Sequence, residues 1–244
     1  MAAEIAVLRG THTLGGADED AVTERYCKPL RAREVKVRVV RPQDGDIESL
    51  LAGADGILLT GGGDIDPALY DQEPHPKTAG IDPARDDMEL EAVGYARAQG
   101  IPTMGVCRGC QVMAVAAGGH LVQHLLDESG MDHAQGARRC EVVHEVHLTP
   151  DSRVAQAIGA THLRTNSCHH QGIADVGEGQ VAVGWADDDT IEALEADEHP
   201  FWVGIHWHPE DLWSEHEHHA HLFDAFCAAV RQEHDTRSAK KSAA

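Results

Sequence analysis

The chain has little positive charge and no long apolar segment, and each shortage argues against a class of function. Lysine and arginine total 20 residues against 41 aspartates and glutamates, for a net charge of −21. Such a surface repels phosphate backbones and anionic lipids, which disfavours nucleic-acid and membrane partners. No stretch approaches the roughly 18 uninterrupted apolar residues of a membrane span. The N-terminus has no basic flank and no long apolar run, so no secretory signal is expected.

The cysteines are too few and too scattered to form a disulfide framework. Six occur in 244 residues, whereas small secreted scaffolds carry them densely. Free thiols, most of them packed in the core, are the expectation, and the predicted location is the cytoplasm. The six are Cys27, Cys107, Cys110, Cys140, Cys168 and Cys227.

Apolar runs alternate with helical segments in the first half of the chain, which predicts an α/β fold. The sheet should be mostly parallel and covered by helices on both faces. The predicted strands are Ile5–Leu8, Val35–Val40, Gly56–Thr60 and Thr103–Val106, and the predicted helices include Ile47–Leu51, Pro83–Gln99 and Gln111–Ala117.

The second half contains more short β runs, which predicts a smaller β-rich part. These runs are Glu141–Leu148, Gln180–Trp185, Thr190–Glu195 and Trp202–Trp207, followed by a helix over Leu212–Arg231. With 42% hydrophobic residues and no internal repeat, residues 1–231 are expected to form one domain. The polar segment 232–244 is expected to fray as a disordered tail.

A cysteine at the end of a predicted buried strand is the strongest chemical signal. Glycines on both sides allow a sharp turn into the following helix, as at a nucleophile elbow. Amide dipoles at that helix N-terminus would favour the thiolate, and the Arg108 amide would face a developing oxyanion. The motif reads Gly105-Val106-Cys107-Arg108-Gly109-Cys110-Gln111.

Two other interpretations of this motif remain open from the local residues. A cysteine after an apolar strand is often a core residue without chemistry. Cys107 and Cys110 also form a C-x-x-C pair at a strand–helix junction, which is typical of redox proteins. A redox pair, however, has no need of a histidine and an acid at the end of another strand.

The segment Trp202–Trp207 is such a strand, and polar residues follow it. His208 lies two residues before Glu210, with Pro209 restricting the backbone between them. A thiol, a histidine and an orienting acid are the parts of an activated-thiol hydrolase. Because the chain has 18 histidines, any single one is weak evidence, and His206 is a competing candidate.

Together these motifs resemble the class I glutamine amidotransferase superfamily, and most closely its γ-glutamyl-γ-aminobutyrate hydrolase type, the peptidase C26 family. Further segments support the narrower resemblance. They are Leu59-Thr60-Gly61-Gly62-Gly63-Asp64-Ile65-Asp66-Pro67 with Tyr70, the pair Arg85-Asp86, and Asn166-Ser167-Cys168-His169-His170-Gln171.

The resemblance implies a flavodoxin-like fold and a role for each matching residue. Cys107 would be the nucleophile, His208 the base and later acid, and Glu210 the orienting carboxylate. The amides of Gly62 and Arg108 would form the oxyanion hole. The residues expected to border the glutamyl pocket are Gln111, Asn166, Ser167, His169 and His170.

Three functions are compatible with these motifs. The first is hydrolysis of a γ-glutamyl amine or γ-glutamyl amino acid through a glutamyl-thioester, with a small-molecule γ-glutamyl substrate as the partner. The second is a glutaminase subunit that supplies ammonia to a separate synthetase. The third is a non-catalytic binding module, which an intact thiol, histidine and acid disfavour. Arg108 and the segment 166–171 favour the hydrolase, and a homodimer is compatible with the sequence.

No cofactor and no metal site are predicted. His216, His218, His219 and His221 more closely match a solvated helix face. His144 and His147, taken with Cys140 and Cys168, do not have the spacing of a closed structural zinc site.

Overall fold

The computed structural model describes residues 2–10, 19–134 and 140–243. The strands of these residues are β1 (Glu4–Leu8), β2 (Lys36–Val40), β3 (Gly56–Leu59), β4 (Thr103–Val106), β5 (Leu121–Val122), β6 (His144–Leu148), β7 (His162–Thr165), β8 (Gly172–Ile173), β9 (Val181–Ala186), β10 (Ile191–Glu195) and β11 (Trp202–Ile205). The helices are α1 (Glu19–Arg31), α2 (Ile47–Leu51), α3 (Pro83–Gln99), α4 (Arg108–Ala116), α5 (Leu125–Glu128), α6 (Arg153–Ile158) and α7 (Glu217–Ala243).

A nine-stranded sheet organises the molecule, in the order β2-β1-β3-β4-β11-β10-β9-β6-β7. The first five strands run parallel, and the remaining strands are antiparallel to their neighbours. Strands β5 and β8 form a separate two-stranded ribbon. The predicted α/β fold, with a mostly parallel sheet and a β-rich second half, is confirmed.

The apolar core is divided between the two faces of this sheet, and β1 shows the division. Ile5 and Val7 contact the core under α1, α6 and α7, while Ala6 and Leu8 contact the core under α2, α3 and α4. Successive side chains of a strand point to opposite faces, so a strand covered on both sides is apolar throughout. This is why the continuous run at residues 5–8 predicted a buried parallel strand.

Sequence signals at the helix ends match the observed boundaries. The side chains of Asp46, Asp82 and Ser152 accept hydrogen bonds from main-chain amides in the first turns of α2, α3 and α6. Gly100 and Gly159 end α3 and α6 in the left-handed conformation. These caps satisfy main-chain groups that have no partner inside the helix.

The C-terminal segment differs from the expectation. The polar residues 232–243 are not a disordered tail but continue α7, which begins at Glu217 rather than Leu212. His234 Nδ1 lies 2.9 Å from Asp55 Oδ2, and Arg237 donates to the main-chain oxygen of Ala54 at 2.8 Å. These contacts with the two residues before β3 anchor a segment whose composition alone predicted fraying. Within the described residues, no helix is long and apolar enough to cross a membrane.

Candidate active site

Cys107 lies between β4 and α4 in a backbone conformation that few residues adopt. Its φ is 53° and its ψ is −111°, and α4 begins at the next residue. Such strain costs on the order of 1–3 kcal/mol and persists only where the surrounding structure enforces it. The Cys107 amide donates to the carbonyl of Ile205 at 2.8 Å, which fixes the turn against β11.

The glycines that flank Cys107 are required by close backbone packing. A Cβ on Gly105 would lie 2.6 Å from the carbonyl oxygen of Gly109. A Cβ on Gly109 would lie 2.5 Å from the carbonyl oxygen of Leu59 in β3. Since real Cβ atoms do not approach that closely, larger residues would push the turn away from the sheet.

His208 reaches the same place from the neighbouring strand. Strands β4 and β11 are adjacent and parallel, so the residues that follow them meet at one sheet edge. A Cβ built on Gly61 would lie 3.2 Å from Cε1 of His208 and 3.5 Å from Cβ of Cys107. His208 Nδ1 lies 2.7 Å from Glu210 Oε1, and its Nε2 has no hydrogen-bond partner among the described protein atoms. The free nitrogen is therefore the one available to the thiol.

The electrostatics of this group favour a thiolate and an imidazolium. Burial alone would raise the pKa of Cys107, but the nearby His208 overcomes it and the net pKa is lowered. Burial would lower the pKa of His208, but Glu210 and the thiol raise it well above its ordinary value. The pKa of Glu210 falls despite its burial, because His208 and Arg25 stabilise the carboxylate.

Two residues hold the histidine and the acid in place. The Asn166 side chain donates to the main-chain oxygen of His208 at 3.0 Å and accepts from its amide at 2.9 Å. The guanidinium of Arg25, from α1, forms a bidentate pair with Asp211 and lies 3.8 Å from Glu210 Oε1. Arg25 was not singled out from the sequence, where it resembles any charged residue of an amphipathic helix.

The loop after β3 faces the other side of Cys107. The Gly62 amide makes no hydrogen bond to the main chain of the described residues, and a Cβ on Gly62 would collide with Arg85 and approach Arg108. Arg108 is the first residue of α4, so its amide directly follows Cys107 at the N-terminus of the helix. The amides of Gly62 and Arg108 therefore stay the candidates for oxyanion donors.

Four buried charged residues, here called the ion network, fix this loop relative to α4. Arg108 binds both Glu89 and Asp86, and Arg85 Nε donates to Glu89 Oε1 at 2.7 Å. Arg85 also donates to the main-chain oxygens of Thr60 and Gly61. The network joins α3, α4 and the glycine loop. Its members are Arg85, Asp86, Glu89 and Arg108.

His206, the competing candidate for the catalytic base, has a polar partner at each ring nitrogen. Its Nε2 lies 3.0 Å from Gln111 Nε2, and its Nδ1 lies 3.2 Å from the carbonyl oxygen of Ile191. Burial and neighbouring histidines lower its pKa well below the ordinary value, so the ring is neutral. The Gln111 side chain is consequently directed at His206 rather than at open space.

The other residues that were expected to border the glutamyl pocket differ in where their side chains point. Ser167 Oγ donates to the main-chain oxygen of His133 at 2.7 Å, and Asn166 is committed to His208. His169 stacks on His206 at 3.7 Å between ring centroids, and its charge affects Cys107. His170 Nε2 lies 3.0 Å from Asp64 Oδ1 in the glycine loop. Of these candidates, His169 and His170 are the ones placed toward Cys107 or the loop beside it.

Cys110 is a buried free thiol, as is Cys107. A Cβ on Gly204 of β11 would lie 2.7 Å from its sulfur, so Cys110 packs against the sheet. Burial, together with Glu192 and Cys107, raises its pKa well above the ordinary value. A protonated, buried thiol is a poor partner for disulfide exchange, which disfavours the redox interpretation.

Solved structures define the class of fold. A glutamine amidotransferase from Methylobacillus flagellatus aligns with a TM-score of 0.62, covering 93% of this chain and 94% of its own, at 13% identity. A Thermoplasma acidophilum protein, provisionally described as a GMP synthase subunit, gives a TM-score of 0.68 with 98% of each chain covered, at 16% identity. The fold is that of class I glutamine amidotransferases.

The peptidase C26 family model matches residues 3–210, and the chain belongs to this family. A Mycobacterium tuberculosis protein, named only provisionally as a glutamine amidotransferase, is 40% identical over 172 residues, which are 69% of this chain and 56% of that protein. The γ-glutamyl-γ-aminobutyrate hydrolase of Escherichia coli is 29% identical over 193 residues, covering 76% of this chain and 75% of the enzyme. The family and these relatives support an amide hydrolase activity.

Proposed function

We propose that the protein hydrolyses the γ-glutamyl amide bond of a γ-glutamyl amine or γ-glutamyl amino acid. The observation that carries this proposal is the alignment of Glu210, His208 and Cys107 at the ends of two adjacent parallel strands. The 2.7 Å contact between His208 Nδ1 and Glu210 Oε1 leaves Nε2 for the thiol. The γ-glutamyl group is inferred from the Escherichia coli relative, whose name gives that substrate.

In the proposed reaction the thiolate of Cys107 attacks the γ-carbonyl carbon, and the negative charge moves to the carbonyl oxygen. The amides of Gly62 and Arg108 stabilise this oxyanion. When the C–N bond breaks, His208 donates its Nε2 proton to the leaving amine and a glutamyl-thioester remains. The neutral imidazole then takes a proton from water, the hydroxide attacks the thioester, and glutamate leaves as the thiolate is restored.

Glu210 acts on the histidine rather than on the substrate. Its carboxylate holds the Nδ1 proton, which fixes the ring orientation and stabilises the imidazolium during attack. Asn166 and Arg25 position this pair and are not expected to contact substrate.

The experiment that tests the proposal is glutamate release by the purified protein from glutamine and from a panel of γ-glutamyl substrates. The panel contains a neutral amine, a diamine and an amino acid as leaving groups. Cleavage of a γ-glutamyl amine or amino acid at least about tenfold faster than glutamine is the expected outcome.

Two other outcomes would replace this function with an alternative. Slow glutamine turnover that rises on addition of a partner synthetase would indicate a glutaminase subunit. Absence of turnover with every substrate, in a protein shown to be folded, would indicate a binding module.

A further inference from the structure

A second buried polar cluster lies beside Cys107 and takes no part in the proposed reaction. At its centre is Glu192 of β10, whose side chain is fully buried. Three histidine nitrogens from different segments surround its Oε1 atom. They are His133 Nδ1 at 3.5 Å, His144 Nε2 at 3.8 Å and His169 Nε2 at 3.5 Å, and these four residues are called the histidine cluster.

The separations in this cluster are long for hydrogen bonds but match those of metal ligands. Ligand atoms about 2.0–2.1 Å from a tetrahedral zinc ion lie about 3.3–3.4 Å from one another. The ligand atoms of His133, His144 and Glu192 all lie within 4.8 Å of one another. His169 Nε2 lies 3.5 Å from the same carboxylate oxygen but belongs to a second group, with Glu192 and His206.

Hydrogen bonds on the outer side of each ring determine which nitrogen faces the centre. His169 Nδ1 lies 2.9 Å from the carbonyl oxygen of Gln171, and His144 Nδ1 lies 3.1 Å from that of Glu145. A carbonyl oxygen only accepts, so both Nδ1 atoms carry the proton. In neutral His144 the nitrogen that faces Glu192 therefore presents a lone pair. Burial would lower the pKa of His169, but Glu192 raises it and favours a proton on that ring.

His133 follows the same pattern with a carboxylate in place of a carbonyl. Its Nε2 lies 3.1 Å from Asp188 Oδ2, and its Nδ1 faces both Glu192 and Ser167 Oγ, the latter at 3.3 Å. A metal-bound histidine usually donates its other N–H to a carboxylate or a main-chain carbonyl, which orients the ring for the ion. All three histidines of the cluster have such a partner.

The atoms that face the centre lack hydrogen-bond partners among the described residues. These atoms are Oε1 and Oε2 of Glu192 and Nε2 of His144 and His169. Burying the Glu192 carboxylate against the lone pair of His144 Nε2 is unfavourable, because both groups are acceptors. A bound cation would satisfy Glu192 and His144 together.

We propose that the histidine cluster binds one divalent transition metal ion, with Zn²⁺ as the best match to its nitrogen and oxygen donors. His133, His144 and Glu192 would hold the ion, and a water molecule would complete a tetrahedral shell. The ion would join β6, β10 and the loop that carries His133. It would lie next to the stacked pair of His169 and His206, behind the candidate nucleophile.

Sequence spacing did not reveal this site, because its ligands are far apart in the chain. The set considered from spacing shares only His144 with the cluster. His147 is three residues further along β6 and therefore points to the opposite face, where its Nε2 lies 2.8 Å from Asp187. This makes His147 a matched control on the same strand.

The test is calorimetric titration of the metal-stripped, full-length protein with Zn²⁺, with metal content measured independently by elemental analysis. We expect one ion per chain. His144→Asn should weaken Zn²⁺ binding by at least about 100-fold, and Asp188→Asn by about 10–100-fold. His147→Asn should leave the affinity unchanged. Circular dichroism of the metal-free variants verifies that each is folded.

Cys107→Ala separates this site from the thiol of the candidate active site and should bind Zn²⁺ as the unaltered protein does. Loss of binding in this variant would place the ion on the nucleophile and overturn the proposal. Retention of full affinity in both Glu192→Gln and His144→Asn would also overturn it. If the folded protein binds no Zn²⁺ or Co²⁺, the proposal fails and the cluster is held instead by a proton on His169.

Discussion

The ion network and the histidine cluster are both buried, both adjoin Cys107, and differ in how their charges are matched. In the ion network, two guanidinium groups face two carboxylates, and each carboxylate is bound by an arginine. In the histidine cluster, one carboxylate faces three imidazoles and its oxygens have no hydrogen bond among the described residues. The charges of the ion network balance one another, so this network needs no further ion to hold its position. The histidine cluster needs a bound proton or metal cation to balance the charge of Glu192.

The ion network and the histidine cluster hold different segments of the structure around Cys107. The ion network holds the glycine loop and the start of α4, which carry the proposed oxyanion donors. The histidine cluster lies on the antiparallel side of the sheet, in β6, β10 and the loops near them. Changes in either cluster should therefore act on catalysis indirectly, whereas a change in Cys107 should act directly.

The largest expected effect comes from removing the thiol itself. Cys107→Ala should lower the rate of γ-glutamyl hydrolysis by at least about 10⁴-fold, because the covalent step is lost. Cys110→Ala, a change of the same chemistry three residues away, should keep activity. Steady-state kinetics of both variants provide the comparison. Substantial turnover by Cys107→Ala would rule out the proposed nucleophile.

Matched carboxylate-to-amide substitutions compare the two clusters directly. Glu89→Gln should lower the free energy of unfolding by about 3–5 kcal/mol, because it leaves a buried arginine charge uncompensated. Glu192→Gln, measured in the absence of metal, should change it by less than about 1 kcal/mol, since it removes a carboxylate without hydrogen bonds. Denaturant unfolding with chelator measures both, and Glu91→Gln on the exposed face of α3 is the control. Equal decreases in the free energy of unfolding for Glu89→Gln and Glu192→Gln would show that the two clusters do not differ in charge matching.

Asn166→Ala tests whether Asn166 positions His208 or binds substrate. Loss of its two hydrogen bonds to the His208 main chain should lower kcat by about 10–100-fold, because small misplacements of a catalytic group are costly. KM should change less than about twofold. A rise in KM with kcat unchanged would instead support the glutamyl-pocket role that the resemblance implied.

A change of pH is expected to affect the maximal rate least. The shifted pKa values of Cys107 and His208 should nevertheless move the limits of the pH–activity profile. Because the pKa of Cys107 is lowered, its thiolate should persist below the usual thiol pKa of about 8.5 and be lost only as pH falls through the depressed value. Because the pKa of His208 is raised, proton donation to the leaving amine should fail only as pH rises through the elevated value. The pH dependence of iodoacetamide alkylation measures the thiolate.

His208→Asn should move the alkylation profile of Cys107 to higher pH, since it removes the positive charge that stabilises the thiolate. His206→Asn, which alters a neutral neighbour, is the matched control. An alkylation profile unaffected by His208→Asn would show that the two side chains are not coupled.

Local sequence patterns were sufficient where the physical cause is itself local. The glycines at 105 and 109 predicted a crowded turn, and the clashes that a Cβ would make at each position explain why glycine is needed there. The apolar runs of β1, β4 and β11 predicted buried strands. The short polar strand β7 and the ribbon of β5 and β8 were not predicted, because pairing with distant segments rather than periodicity defines them.

The sequence by itself determined the layered α/β fold, the sharp turn at Cys107 and the two strand ends that carry the thiol and the histidine. Only the tertiary structure decided that Asn166 and Arg25 hold the His208–Glu210 pair, that residues 232–243 are helical, and that three distant histidines surround Glu192. The physical reason is that dihedral preferences and hydrophobic periodicity are properties of neighbouring residues. Hydrogen bonding, charge matching and ligand geometry depend on residues that the fold alone brings together.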